Sequence, residues 1–392
     1  MATTWYDDAA DARDLAETLV PPPASSTIEL AARSVDSAAL TEAVLRTVRI
    51  PYALRRVPLA SFSRLVPLTE APRAGDIVLA SLQKVGKNTR LELSNGRPSA
   101  FQIGDLLAVV FGNRYATMQF EGYARARNGG CDLLSMGGLC GIVESKHDSV
   151  AESTKLRILG AVADANGDRL RLADHRLPRP LHRRPRPNIA VVCGTSMDAG
   201  KTYTATSLIR GLRRHGAEVA GIKLTGTAAG RDTWGMLDAG ARVALDFVDG
   251  GLPSTYRSSL QELLALEELL VEHAASEGAD WVVMEIADGL LQSETSALLT
   301  CPEFTKRVTA WVFAAGDAMS AESGVRRLRE WNLEPCAVSG RVTMSPLAMR
   351  EAEAATQVRC VTAREIQAGE LTGALMTAAR TADREAVREP AA

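Results

Sequence analysis

Val191 to Ala205 reads VVCGTSMDAGKTYTA. An apolar run from Ile189 to Cys193 has strand character and ends at Gly194, a short polar loop follows, and Gly200-Lys201-Thr202 opens a helix. Glycines in such a loop let backbone amides converge on an anion, and the helix N-terminus adds partial positive charge. Lys201 can then reach β and γ phosphates, and Thr202 can ligate magnesium. The loop and the start of its helix, Gly194, Thr195, Ser196, Asp198, Ala199, Gly200, Lys201, Thr202 and Tyr203, are therefore read as a nucleoside triphosphate cradle. Gly194 to Gly200 spans one residue more than the usual G-x-x-x-x-G-K-[ST] spacing. The helix should run from Lys201 to about Arg214 and stop at Gly216, as a C-terminal glycine allows.

Outward from this loop the chain alternates short apolar runs with helical segments. NIAVVCG, AEVAGIKL, ADWVVMEIA, RVTAWVFAA and LEPCAVSG have strand length. SLQELLALEELLVEHAAS carries a broad apolar face behind a Ser259/Glu262 capping box. The fold class expected for residues 189–370 is α/β, a P-loop NTPase parallel sheet with helices on both faces. Before it, ADHRLPRPLHRRPRPN (Ala173 to Asn188) alternates proline with arginine and reads as an extended, solvated linker over 174–188. Residues 28–173 show short runs punctuated by turns, with Ser94-Asn95-Gly96 as a hairpin signal, and predict a smaller, mostly-β, barrel-like N-terminal domain. A helix is expected near Ser37 to Val48, an acidic flexible arm over 1–27 and a helical tail over 371–392.

Composition narrows the function classes. A formal charge of -2 over 392 residues argues against a polyanion-binding protein, so nucleic acid is not an expected partner. The N-terminus lacks a secretory pattern, and no run of 18 apolar residues occurs, so no membrane is expected. The six cysteines are scattered, which fits a cytoplasmic protein with reduced thiols. Cys131, Cys140 and His147 do not have a zinc spacing.

The lengthened loop, Gly194-Thr195, four residues, then Gly200-Lys201-Thr202, resembles that of dethiobiotin synthetase and its relatives, the cobyrinic acid amidases and the nucleotide-binding protein of molybdopterin dinucleotide assembly. Ser196 stands where related partitioning ATPases carry a lysine, which speaks against their dimerisation-activated mechanism. The resemblance covers residues 189 to 365 and implies further roles. Lys223, in AGIKLTG, matches a lysine that holds substrate and developing phosphoanhydride charge. Glu285, closing ADWVVMEIADGLL, matches a magnesium-binding glutamate, with Asp288 in reserve. The third metal carboxylate would come from Asp232, Asp238 or Asp246, with Asp232 favoured for its closeness to Lys223. Thr202, Glu285 and Asp232 would then be the metal's protein ligands. Ser339-Gly340-Arg341 replaces an asparagine that reads adenine, so ATP is expected with GTP open.

In the β-rich half, Asn113, Arg114 and Tyr115 follow a glycine, and Arg114 is a candidate for binding a substrate carboxylate, with Lys223 a second substrate contact. Lys201, Lys223 and Glu285 form the expected catalytic set. The resulting expectation is a homodimeric, ATP- and Mg2+-dependent enzyme that activates a small carboxylate or carbamate by phosphoryl transfer for ligation, without a glutaminase domain. Two alternatives stand beside it: a nucleotide-dependent accessory or switch protein acting on a partner, and a small-molecule kinase.

Overall fold

The computed structural model describes residues 38–182 and 184–388. The expected arm over 1–27 and the last four residues of the tail lie outside them. In the first half, turn residues cut the chain into ten strands: β1 (Ala38–Ala39), β2 (Arg64–Val66), β3 (Ile77–Lys84), β4 (Arg90–Glu92), β5 (Pro98–Ala100), β6 (Leu106–Phe111), β7 (Phe120–Tyr123), β8 (Gly130–Leu133), β9 (Leu139–Lys146) and β10 (Thr154–Ala163). β4 and β5 form the hairpin that Ser94-Asn95-Gly96 signals, with Gly96 at φ 82. The other eight form one sheet in the order β1-β2-β10-β3-β6-β9-β7. β8 pairs with both β10 and β9, so the pairings run β10, β3, β6, β9, β8 and return to β10. Within the ring, Val78, Ala80, Leu82, Leu107, Val109, Phe111 and Leu133 make a core. The alternate residues Ile77, Leu79, Ala108 and Val110 are buried too. Both faces of β3 and β6 are therefore covered, which is why their sequences run apolar instead of alternating.

The helix expected near Ser37 to Val48 is one turn, α1 (Glu42–Leu45), capped by Thr41. It stops because Arg49 joins the sheet: its N–H donates to the Leu106 carbonyl at 2.9 Å.

The second half holds β11 (Asn188–Gly194), β12 (Val219–Lys223), β13 (Val243–Asp246), β14 (Trp281–Glu285), β15 (Ala310–Ala314) and β16 (Pro335–Ser339). They form a six-stranded, wholly parallel sheet in the order β13-β12-β14-β11-β15-β16. The strand carrying the glycine loop is thus central. Between the strands run α2 (Lys201–Arg214), α3 (Arg231–Asp238), α4 (Leu260–Ser276), α5 (Ser293–Leu299) and α6 (Ala318–Glu330), and α7 (Thr372–Arg388) closes the chain. α4 has the expected capping box, and α2 ends before Gly216 at φ 84. One face of the sheet packs Leu208, Ile209 and Leu212 of α2 on Val192, Val219, Val283 and Val312. β13 was not anticipated; half of it is only partly buried, which hides its strand character.

The proline-arginine segment lies along α4. Arg179 pairs with Glu268 and Glu272, Arg186 with the fully buried Glu267, and Arg307 reaches Glu267 from the other side at 2.9 Å. These arginines serve intramolecular ion pairs. No helix among the described residues is long and apolar enough to cross a membrane. The described residues belong to one compact unit, and hydrogen bonds and ion pairs join its two halves.

Candidate nucleotide site

In a parallel sheet the strand ends and the N-termini of the following helices gather at one edge. Register places the relevant residues there side by side. Val192 of β11 pairs with Glu285 of β14, and Lys223 of β12 pairs with the same Glu285. The loop from Thr195 to Gly200 lies at the same edge, so Lys201, Thr202, Lys223 and Glu285 come together there.

The loop's shape is set by its neighbours. Asp198 and Gly200 take positive φ, 63 and 100. A Cβ on Gly200 would come within 2.9 Å of the Gly340 Cα, and one on Gly340 would run into the Ala199 carbonyl. Here the backbones touch: the Arg341 N–H donates to the Ala199 carbonyl at 3.0 Å, and the Thr195 N–H to that of Ala314 at 3.0 Å. On the other flank, a Cβ on Gly289 would strike the Thr195 carbonyl. The turns after β14 and β16 therefore hold the loop preformed, a role for Gly289 and Gly340 that their sequence context alone does not reveal.

Lys201 is buried and donates to the Ser196 carbonyl at 2.6 Å, curling over the inside of the loop. Burial lowers its pKa, and the Glu285 and Asp288 charges pull it back up. Ser196 and Asp198 are exposed on the loop's outer side, and Tyr203 is 64% exposed on the first turn of α2.

Thr202 donates its hydroxyl to Glu285 Oε1 at 2.8 Å. Glu285 is 2% exposed, and its Oε2 has no hydrogen-bond partner among the described residues. A buried carboxylate oxygen left bare is costly unless a cation or donor takes it up. A threonine hydroxyl and a carboxylate beside a phosphate cradle are hard oxygen donors, so the pair fits magnesium, which keeps several waters and phosphate oxygens of its own. No group of three His, Cys, Asp or Glu side chains forms a separate metal cluster among the described residues.

The three aspartates offered as third ligand separate clearly. Asp232, on the first turn of α3, is ion-paired with Lys223. Asp238 ends α3, exposed to solvent. Asp246 ends β13 fully buried, where Tyr52 donates to its Oδ2 at 2.7 Å and Arg55 pairs with its Oδ1 at 2.8 Å. Asp288 stands after β14 at φ 64, within electrostatic reach of Lys201, Lys223, Glu294 and Arg114, and burial raises its carboxyl pKa. Ser339, at the end of β16, is buried with its hydroxyl unpartnered among the described residues.

The β-rich half is fastened to this edge. Arg55 bridges Asp246 and Asp249, Glu92 accepts from the Gly230 N–H at 2.8 Å and from Trp234 Nε1 at 3.1 Å, and Ser135 donates to the Ala228 carbonyl at 3.1 Å. Tyr52, Arg55 and Glu92 were not singled out from the sequence, because their partners lie far along the chain.

No protein-family model matches this chain, and no curated protein matches it. Among solved structures it is similar to the signal recognition particle 54 kDa protein of Aeropyrum pernix K1 in complex with GDP, at 17% identity and TM-score 0.34, over 52% of this chain and 50% of that one. It is also similar to the signal recognition particle receptor FtsY of Elizabethkingia anophelis in complex with GDP, at 15% identity and TM-score 0.31, over 48% of this chain and 60% of that one. Chloroplast FtsY of Physcomitrella patens matches at 14% identity and TM-score 0.34, over 48% of this chain and 62% of that one. The matched part thus spans between half and under two thirds of each of these proteins. The site itself carries the assignment: a central parallel strand, a glycine loop and a Gly-Lys-Thr helix start beside a buried carboxylate give the second half of this chain a P-loop NTPase fold.

Proposed function

We propose that this protein binds a nucleoside triphosphate with magnesium and acts as a nucleotide-state switch, its output carried by the β-rich half. One observation carries the proposal. The loop between Lys223 and Asp232, which flanks the γ-phosphate end of the cradle, is tied down from outside the phosphate loop. Gly226 N–H donates to Thr255 Oγ1 at 2.8 Å, Ala228 N–H to the Pro253 carbonyl at 3.1 Å, and the Ala228 carbonyl and Gly230 N–H are held by Ser135 and Glu92. A γ phosphate that draws Lys223 away from Asp232 would displace this loop and, through Ser135 and Glu92, the strands behind it.

Within the cradle Lys201 leaves the Ser196 carbonyl to meet phosphate, and the loop amides hold the β and γ oxygens. Thr202 and Glu285 would hold magnesium, which supplies charge neutralisation to the phosphates when bound. Asp232 serves here as the partner from which Lys223 is released. We take the ring of strands as a small barrel and keep the division into 28–173 and 189–370. The six cysteines are free, which suits a reducing compartment.

A second reading, phosphoryl transfer to a small carboxylate or carbamate in the manner of a ligase or kinase, is favoured by the buried Arg114 beside the site. Hydrogen exchange of the full chain with Mg2+ and ATP, GTP or the matching diphosphates separates the two. The switch predicts that amides of residues 224–230 and 135–138 differ in protection between triphosphate and diphosphate. Identical protection in both states would remove it.

A further inference from the structure

A cavity of about 300 Å³ lies where the two halves of the chain meet. The β-rich half lines it with Arg73, Asp76, Asn113 and Arg171, and the second half with the segment 251–258 and with Glu262, the third residue of α4. No residue of the phosphate cradle borders it, nor does Lys223, Glu285 or Asp288. The halves close tightly around it: a Cβ on Gly251 would come within 2.8 Å of the Ala173 Cα, and Ser254 Oγ donates to the Asn113 carbonyl.

Five charged side chains line the cavity, and they are unevenly matched. Asp76 accepts from the Arg73 N–H at 2.8 Å through Oδ2, and its Oδ1 lies 3.4 Å from Arg171 Nε across a backbone bridge. Glu262 accepts from the Ser259 N–H at 2.8 Å in the capping box of α4, where the helix N-terminus offsets its charge. Two cations remain. The exposed Arg73 guanidinium has no hydrogen-bond or ion-pair partner among the described residues. Arg257, also exposed, forms no ion pair there, and its guanidinium lies over the Tyr123 ring, 5.0 Å from the centroid. Arg257 holds φ 69, a conformation that a residue with a side chain keeps only where its surroundings enforce it; here its N–H donates to Glu294 Oε1 at 2.5 Å.

We propose that this cavity binds a small phosphomonoester, its phosphate held by Arg73 and Arg257. Two guanidinium forks offer more donors than the two oxygens of one carboxylate can take, whereas the three terminal oxygens of a phosphate ester serve both. A volume of about 300 Å³ is at the low end for ligand cavities and suits an ester of few carbons. The cavity wall also fastens the loop beside the nucleotide cradle. Thr227 bridges to Ser254, the Ala228 N–H donates to the Pro253 carbonyl at 3.1 Å, and the Thr255 N–H to that of Gly226 at 3.0 Å. A ligand seated on this wall is therefore an effector of residues 224–230, and that coupling rests on the switch reading above, whereas the binding does not.

Calorimetric titration of the full chain with glycerol 3-phosphate tests the site. It should bind saturably with a Kd on the order of 0.1–1 mM, and malate and inorganic phosphate at least about tenfold more weakly. Arg73→Gln and Arg257→Gly should each weaken the ester about tenfold or more, and either serves should the other not fold. Lys201→Ala should bind it as the wild type does. No saturable binding up to about 20 mM, affinity unchanged in both arginine variants, or malate or inorganic phosphate binding as tightly overturns the proposal. So does a loss confined to Lys201→Ala, which would give the ester to the phosphate loop. The titration needs no nucleotide, so failure of the nucleotide site is read separately. Hydrogen exchange with the ester bound should alter protection over residues 224–230, and unchanged protection overturns the effector role.

Discussion

Replacing Arg55 with methionine keeps most of the side chain's bulk and removes the cation between two carboxylates. Asp246 is fully buried and Asp249 5% exposed, and Arg55 Nη2 reaches them at 2.8 and 2.6 Å. Removing one partner of a buried pair costs about 3–5 kcal/mol, because the remaining charges stay desolvated. Arg56 still reaches Asp249 at 3.5 Å, which puts the expected loss near the lower end, about 3 kcal/mol. At about 2 °C per kcal/mol for a chain of this size, the melting temperature should fall by roughly 6 °C. The loss should depend on pH in a stated direction. Burial and the Asp246 charge raise the Asp249 pKa while Arg55 lowers it, so Arg55→Met raises the folded value further above the unfolded one. Between those two values the native state then binds the proton more tightly, and stability falls as pH rises. The penalty should therefore be full near neutral pH and shrink toward about pH 4–5. Adding Asp249→Asn to Arg55→Met should recover part of it. Urea unfolding followed by circular dichroism at both pH values reads all three. A loss under about 1 kcal/mol, or a penalty that grows on acidification, would refute the reasoning.

Gly289→Ala places a methyl against the Thr195 carbonyl and should weaken triphosphate binding at least about tenfold by calorimetry, with the melting temperature of the nucleotide-free chain less affected. Glu285→Gln keeps an acceptor for Thr202 but removes the charge, so nucleotide affinity should lose its dependence on Mg2+ concentration, a titration that wild-type protein should show clearly. Gly137→Ala drives a methyl into the Ala228 carbonyl, and hydrogen exchange should then show faster exchange over residues 224–230 without a matching loss in nucleotide affinity.

What could be read from the chain alone was what is encoded locally. Gly194, Gly200, Lys201 and Thr202 announce a phosphate loop because amide convergence and helix polarity need only adjacent residues. Lys223 and Glu285 are singled out through the resemblance of their segments to the dethiobiotin synthetase group, each at the end of an apolar run, and parallel register carries the two to the same edge. β13 was hidden because half of it is only partly buried, and the burial of Asp246 at its end comes from Tyr52 and Arg55, 194 and 191 residues away. Asp232 was favoured for the metal by its nearness to Lys223, and that same nearness gives it to Lys223 as an ion-pair partner. The arginines of the linker read as solvated until α4 supplies Glu267, Glu268 and Glu272 as partners. Gly289 and Gly340 matter only because two other turns come close to their backbones, which no short window of sequence contains.

The central claim is that the Gly194–Thr202 loop grips the phosphates of a nucleotide through Lys201. Calorimetric titration of the full chain with ATP and with GTP, in Mg2+ and in EDTA, tests it directly when repeated on Lys201→Ala. Saturable, magnesium-dependent binding of at least one nucleotide, weakened at least about a hundredfold in the variant, is the predicted result. Equal affinity in both proteins, or no binding of either nucleotide to the wild type, would contradict it.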